Sequence, residues 1–204
     1  MAKAQSEGKP STRERLVETA RQLFLARGFE ATSVADILRE ARVNSGSLYY
    51  FFKTKEELLL AVLDLYVEKL HPWVLDPIFE REPDPIARVF AVLEGYRQML
   101  SMTECRQGCP IGNLALEMSD RSEAVRERIA LNFDNWRKAI RQCLLDAGDR
   151  LPSEVDADKL ATFILTVMEG GVMQARAFRS AEPFDASVAM LRDYVGQLVK
   201  RAGE

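Results

Sequence analysis

The 204-residue sequence predicts an all-α protein of about nine helices. Apolar residues recur at intervals of three and four in one segment after another, as they do along one face of a helix. We find no strand-like alternation of useful length. Glycine, proline and capping residues fall where such helices would begin and end. The chain is 47% hydrophobic and 29% charged, a composition typical of a globular protein with a core.

Four helices are predicted in the N-terminal third, after a polar and flexible arm at residues 1–11. Each has a residue suited to begin or end it: Ser33 and Asn44 as N-caps, Thr54 in a capping box with Glu57, and Gly28 and Pro72 as terminators. The four predicted helices span residues 12–27, 34–40, 44–50 and 54–70.

Five longer segments with helical periodicity follow Pro72. Pro85 suits the first position of a helix, and Pro183 is expected to separate the last two. The five predicted helices span residues 85–102, 111–118, 122–147, 156–179 and 185–200.

The charge is unevenly distributed between the two parts of the chain. Residues 1–55 contain ten Lys and Arg against six Asp and Glu, a net charge of +4, whereas residues 56–204 have a net charge of −7. Such asymmetry indicates a segment that faces nucleic acid, although chance could also produce it. We therefore expect a DNA-binding domain over residues 12–55 and a helical regulatory and dimerisation domain over 56–204.

The second and third helices have the lengths and the short connection of a helix-turn-helix. In this interpretation Leu48 packs inward and Ser45, Gly46 and Ser47 meet base edges, because small residues allow close approach. Tyr49, Tyr50 and Lys55 would then meet phosphates. The alternative is that residues 49–52 form an aromatic packing cluster with no role in DNA binding.

The same segment resembles the N-terminal signature of the TetR/AcrR regulators over residues 12–63. The matching positions include Leu23-Phe24, Gly28-Phe29, Ala31-Thr32-Ser33-Val34 and the unbroken run from Ala41 to Leu58. The resemblance implies a homodimer, usually a repressor, whose last two helices form the dimer interface. It also implies a C-terminal effector pocket, base contacts from residues 45–47, and phosphate contacts from Thr32 or Ser33 and from Tyr49, Tyr50 and Lys55.

One position departs from the family pattern, because Arg42 stands where glycine is usual. This turn position often needs a positive φ, which costs a non-glycine residue about 1 kcal/mol. We expect Arg42 to adopt the left-handed conformation and to contact a phosphate.

The sequence thus predicts a dimeric repressor that a small molecule releases from a palindromic operator. Its expected partners are double-stranded DNA, a second copy and an effector, with no cofactor, metal or membrane. With no apolar run long enough to span a bilayer and no signal peptide, we expect a cytoplasmic protein. We expect no enzyme, because we find no catalytic triad, P-loop or dinucleotide motif, and His71 is the only histidine. A helical adaptor that does not bind DNA is the other alternative.

The chain has three cysteines, Cys105, Cys109 and Cys143. Residues 108–120 resemble a segment of a subgroup of these regulators in which a matching cysteine senses oxidants or electrophiles. Cys109 precedes a predicted helix, whose N-terminus would lower the thiol pKa, and Cys105 could resolve a sulfenic acid. The alternative is that these cysteines are structural, as buried cysteines usually are.

The effector pocket is expected among aromatic and methionine side chains, with Asn113 and Glu117 as polar contacts. The apolar candidates are Phe90, Tyr96, Met99, Phe133, Trp136, Phe163, Met168 and Met173, with Cys109 beside them. Gly170-Gly171 interrupts a helical pattern, which indicates either close helix approach at a dimer interface or a helix break.

Overall fold

The computed structural model describes residues 10–203, and most of the predicted N-terminal arm lies outside them. The chain forms two compact units that divide between Val62 and Leu63. This division falls inside the fourth helix, whereas the functional boundary was placed at residue 55, where that helix begins.

The first unit is built from three helices and the first half of a fourth, close to the predicted bounds. Its N-caps are those predicted: Ser33 Oγ accepts from Asp36 N, and Asn44 Oδ1 accepts from Ser47 N. Thr54 Oγ1 accepts from Glu57 N at the start of the fourth helix. The helices are α1 Thr12–Arg27, α2 Val34–Ala41, α3 Ser45–Phe51 and α4 Lys55–Lys69.

The core of the first unit consists of the apolar positions that define the helical periodicity. Leu16, Ile37 and Leu48 are fully buried, and Phe24 packs against Phe29 with ring centroids 5.3 Å apart. These contacts hold α1, α2 and α3 together, which fixes the face of α3 that remains exposed.

The fourth helix ends at Lys69, close to the predicted bound, but the chain does not leave the helical conformation at Pro72. The chain continues from α4 into a π-helical turn, Leu70–Leu75, and then into the short helix α5, Asp76–Phe79. Proline has no N–H to donate to the helical hydrogen-bond pattern. Here the chain accommodates Pro72 in a wider, π-helical turn instead of leaving the helical conformation. Single π turns of this kind are the usual form of π-helix in proteins.

The second unit contains the remaining long helices. Pro183 lies in the first turn of the last helix instead of in a gap before it, in keeping with the preference of proline for that position. The helices are α6 Pro85–Met102, α7 Pro110–Met118, α8 Glu123–Asp146, α9 Ala157–Phe178 and α10 Glu182–Ala202, with a 3₁₀ turn at Gly148–Arg150.

The all-α prediction is confirmed over residues 10–203, where nine helices are longer than a single turn and no strand occurs. The core of the second unit lies among α6, α8, α9 and α10 and includes Leu93, Ile164, Met168 and Phe184. Among the described residues, no helix has the length and apolar character needed to cross a membrane.

Helix α9 is continuous through Gly170 and Gly171, so the predicted helix break is absent. A Cβ added to Gly171 would lie 2.9 Å from Phe184 Cδ2 and 3.3 Å from Phe184 Cα. The close approach at Gly171 therefore occurs within one chain, between α9 and α10. A Cβ added to Gly170 would meet no packing neighbour within 4 Å among the described residues of the single chain, so a dimer interface at this glycine stays a prediction.

Candidate functional site

Helix α3 presents a polar and aromatic face above a single buried anchor. Leu48 is fully buried, and the Asn44 cap holds the first turn through a 2.8 Å hydrogen bond from Ser47 N. Ser45 and Gly46 are exposed and Ser47 is half-buried. Tyr49 and Tyr50 are 48% and 77% exposed, whereas Phe52 is buried. The alternative of an aromatic packing cluster is therefore correct for Phe52 and does not account for the exposed tyrosines, although Tyr50 meets Phe51 at 4.9 Å.

The turn between α2 and α3 adopts the conformation expected of it. Arg42 has φ 54° and ψ 49°, and its N–H donates to the carbonyls of Leu38 and Arg39. The positive φ expected for Arg42 is confirmed. Its side chain is exposed at the α2–α3 corner, on the same unit as the face of α3.

The two hydroxyl residues before α2 have opposite orientations. Thr32 is fully buried and its Oγ1 donates to the Gly28 carbonyl at 2.7 Å, so this hydroxyl is directed into the protein. Ser33 is exposed and its Oγ lies 2.5 Å from Asp36 Oδ2. That hydrogen bond and one from Arg39 lower the pKa of Asp36 to about 2. Of the two candidates for a phosphate contact, Ser33 alone keeps its hydroxyl at the surface.

Lys55 was expected to place a cation beside a phosphate, but its ammonium is directed into the protein. Nζ donates to the carbonyls of Phe29 at 2.9 Å and Thr32 at 3.0 Å, and lies 4.0 Å from the centroid of the Phe29 ring. Lys55 therefore tethers the α1–α2 loop to α4. The sequence could not show this, because 23 residues or more separate the lysine from its acceptors.

A different lysine, Lys53, is exposed close to α3 and was not among the predicted DNA contacts. Lys53 follows α3, and its ammonium makes a 3.2 Å hydrogen bond to the Tyr49 carbonyl. The available signal was its position directly after the four aromatic residues 49–52.

A cavity of about 290 Å³ lies in the second unit and is lined by residues of α7, α8 and α9. It contains four of the expected residues, Cys109, Asn113, Phe133 and Met173. The full lining is Gly108, Cys109, Gly112, Asn113, Ala115, Leu116, Phe133, Glu169, Gly170, Val172, Met173 and Arg176.

The other expected pocket residues lie elsewhere. Phe90 and Met168 belong to the core, and Phe163 contacts Tyr194 on the outer side of α9 and α10. Tyr96 stacks against Trp136 at 5.9 Å, with its hydroxyl 3.9 Å from Cys109 Sγ. Met99 and Glu117 do not line this cavity.

The acidic group of the cavity is Glu169 on α9, which was not among the predicted pocket residues. Its Oε1 atom is buried and has no hydrogen-bond partner among the described residues. A Cβ added to Gly112 would lie 2.3 Å from Glu169 Oε2, so the glycine leaves the space that the carboxyl group occupies. Burial raises the pKa of Glu169. At the cavity's edge, the exposed Arg176 donates to Asn113 Oδ1 at 3.0 Å.

The prediction that a helix N-terminus lowers the pKa of Cys109 is wrong. Burial raises the pKa of this thiol well above its usual range, and the charge of Glu169 raises it further. Hydrogen bonds from the amides of Gly112 and Ile111 act in the expected direction but are outweighed. Cys109 is only 3% exposed, and Cys105 and Cys143 are also buried and free.

Helices α9 and α10 enclose a second concavity, a groove on their outer side. Phe163 on α9 and Tyr194 on α10 meet edge to face with centroids 6.2 Å apart. Both rings are about half exposed, and Met190 beside them is 70% exposed. These side chains form an exposed apolar surface on the two last helices.

Comparison with known proteins links both units to regulators. Residues 16–62 match the model of bacterial regulatory proteins of the tetR family, and residues 85–190 match the C-terminal domain of LmrA/YxaF-like transcriptional regulators. The chain is 30% identical over 175 residues to the HTH-type transcriptional repressor DhaR of Mycobacterium sp. strain GP1, covering 85% of this chain and 86% of that one.

Solved structures show the same similarity. A TetR transcriptional regulator from Chloroflexus aurantiacus aligns with a TM-score of 0.78 and 32% identity, covering 91% of this chain and 94% of the other. The reduced form of NemR from Escherichia coli aligns with a TM-score of 0.78 and 26% identity, covering 90% and 96% of the two chains.

Proposed function

This chain belongs to the TetR family of bacterial transcriptional regulators, and from that premise we propose that it is a homodimeric repressor released from its operator by a small molecule. Because the proposed repressor binds DNA, we expect it in the cytoplasm. The observation that supports DNA binding best is the N-capped helix α3, whose exposed side chains stand on one buried anchor, Leu48.

In the proposed complex α3 enters the major groove. Ser45, Gly46 and Ser47 are small enough to let the first turn approach base edges, which is where sequence is distinguished. Tyr49 and Tyr50 present hydroxyl groups to phosphates, which position the protein without selecting sequence. Ser33, Arg42 and Lys53 add polar and cationic groups, whereas Thr32 and Lys55 act within the protein and are withdrawn as DNA contacts.

The proposed dimer interface is the outer side of α9 and α10. Its exposed apolar residues, Phe163, Met190 and Tyr194, would lose contact with water in a pair of chains. A two-fold axis through such an interface relates the two copies of α3 and predicts a palindromic operator.

The cysteine-switch alternative is not favoured. A redox or electrophile sensor needs an accessible thiolate, whereas Cys109 is buried and this burial raises the pKa of its thiol. A non-covalent ligand in the cavity beside Glu169 is the release mechanism that the arrangement supports better.

Footprinting of the purified protein on the DNA upstream of its own gene tests the proposal. We expect protection of an inverted repeat with half-sites about 34–36 Å apart, or a multiple of that distance. Tyr49→Phe should weaken binding to operator and random DNA alike, whereas Ser47→Ala should change the preferred sequence. Protection without any inverted repeat would contradict the dimer, and an unchanged preference in Ser47→Ala would show that Ser47 does not contact the bases.

A further inference from the structure

The cavity between α7 and α9 contains an acid without a counter-charge. Glu169 Oε1 has no hydrogen-bond partner among residues 10–203, and no cation contributes to the pKa of this carboxyl group. A buried acceptor left without a donor is costly, and a bound donor would remove that cost. We propose that this cavity binds a small, largely apolar organic cation, such as a primary ammonium ion, with Glu169 as its counter-charge.

The size and lining of the cavity suit such a ligand. A volume of about 290 Å³ lies at the small end of ligand pockets in proteins. Leu116, Phe133, Val172 and Met173 supply apolar contacts for the body of the ligand. Glu169 is the one acidic side chain in the lining, so it sets where a positive head group would rest.

Gly112 is part of the same arrangement. Its missing side chain leaves room for the Glu169 carboxyl group, since a Cβ would come within 2.3 Å of Oε2 and within 3.7 Å of Cys109 Cβ. The Cys109 thiol accounts for the other polar contact of Glu169, so Oε1 stays available for a ligand.

Arg176 is the competing anchor, because a guanidinium would favour an anionic ligand. It is exposed to water at the cavity's edge, and it already donates to Asn113 Oδ1 at 3.0 Å. Arg176 is hydrated and already hydrogen-bonded, so a ligand contact adds little favourable free energy there. A contact with the buried Glu169 Oε1 adds more, because that oxygen has no hydrogen bond to lose. The charge of the preferred ligand is therefore set by Glu169.

The inference rests on the proposed function for its regulatory meaning, but its test needs no operator. Binding of benzylammonium, benzyl alcohol and benzoate to the full-length protein is measured by calorimetry at neutral pH. These probes share a ring and differ in charge. We expect benzylammonium to bind about tenfold more tightly than benzyl alcohol, and benzoate to bind weakest, because a charge-assisted hydrogen bond exceeds a neutral one.

Variants then show which side chain causes the preference for the cationic probe. Glu169→Gln keeps the shape of the side chain and should abolish the advantage of the cation, whereas Glu127→Gln, at an exposed position on α8 away from the lining, should retain it. Gly112→Ala keeps the charge but displaces the carboxyl group, and should weaken benzylammonium binding several-fold. Thermal unfolding of each variant confirms that it is folded.

Four results would overturn the inference: no binding of benzylammonium, equal binding of all three probes, an unchanged preference in Glu169→Gln, or tighter binding of benzoate than of benzylammonium. The last result would make Arg176 the anchor. Failure of this test leaves the operator footprint unaffected, and a missing footprint leaves the calorimetry unaffected, so the two proposals fail separately.

Discussion

Replacing Lys55 by methionine separates a structural role from a DNA contact. Methionine keeps most of the aliphatic stem and removes the ammonium that donates to the carbonyls of Phe29 and Thr32. Hydrogen bonds to charged groups contribute about 1.5–3 kcal/mol each, and the nearby Phe29 ring adds about 0.5 kcal/mol. Because Lys55 is only half-buried, water screens part of these interactions, and we expect a net loss of about 2 kcal/mol.

Hydrogen exchange reports on the first unit directly, which matters because both tryptophans lie in the second unit. A loss of about 2 kcal/mol should speed exchange in Val34–Ala41 by about thirtyfold. Affinity for a random DNA duplex is measured against salt in parallel. If the ammonium is tethered inside the protein, the slope of log affinity against log salt should be the same as in the unmodified chain.

Lys53→Met is the matched control. Its ammonium is exposed and has a single 3.2 Å hydrogen bond to the Tyr49 carbonyl, so exchange should hardly change. Its salt slope should fall by about 0.9 if Lys53 neutralises a phosphate. The reasoning would be refuted by the reverse pattern, with a shallower slope and normal exchange in Lys55→Met.

Two further predictions concern strain and thiol chemistry. Arg42→Gly should be more stable than Arg42→Ala by about 1 kcal/mol in chemical unfolding, because both lose the guanidinium and glycine alone adopts φ 54° without cost; equal stabilities would show that the turn is unstrained. Iodoacetamide at neutral pH should modify Cys109 and Cys143 about a hundredfold more slowly in the folded than in the urea-unfolded protein. Burial raises the pKa of both thiols, that of Cys143 to about 11, so little reactive thiolate is present in the folded protein. Rapid modification of folded Cys109, located by peptide mapping, would reopen the redox alternative.

Local features of the fold were predictable because local physics decides them. The bounds of α1, the caps Ser33 and Asn44 and the left-handed Arg42 depend on neighbours within a few residues. The conformation around Pro72 also depends on nearby residues. A proline can end a helix or be accommodated in a π-helical turn, and the sequence alone did not distinguish these two outcomes.

Features that depend on distant residues were not predictable in this way. Lys55 appeared to be a surface cation until its acceptors at the end of α1 were known. The rule that a helix N-terminus lowers a thiol pKa holds for the amides beside Cys109, but burial and Glu169, sixty residues later, outweigh it. Glu169 itself had no signal, because an acidic residue within a helix is usually solvated.

The contact between Gly171 and Phe184 has a mechanical consequence. At Gly171 the backbone of α9 lies directly against Phe184 of α10, and no side chain on the α9 side could repack to absorb a displacement. Glu169 lies on α9 two residues before this contact, and the exposed groove residues Phe163 and Tyr194 lie on the same pair of helices. We therefore expect that a ligand that displaces α9 at the cavity would displace α10 with it.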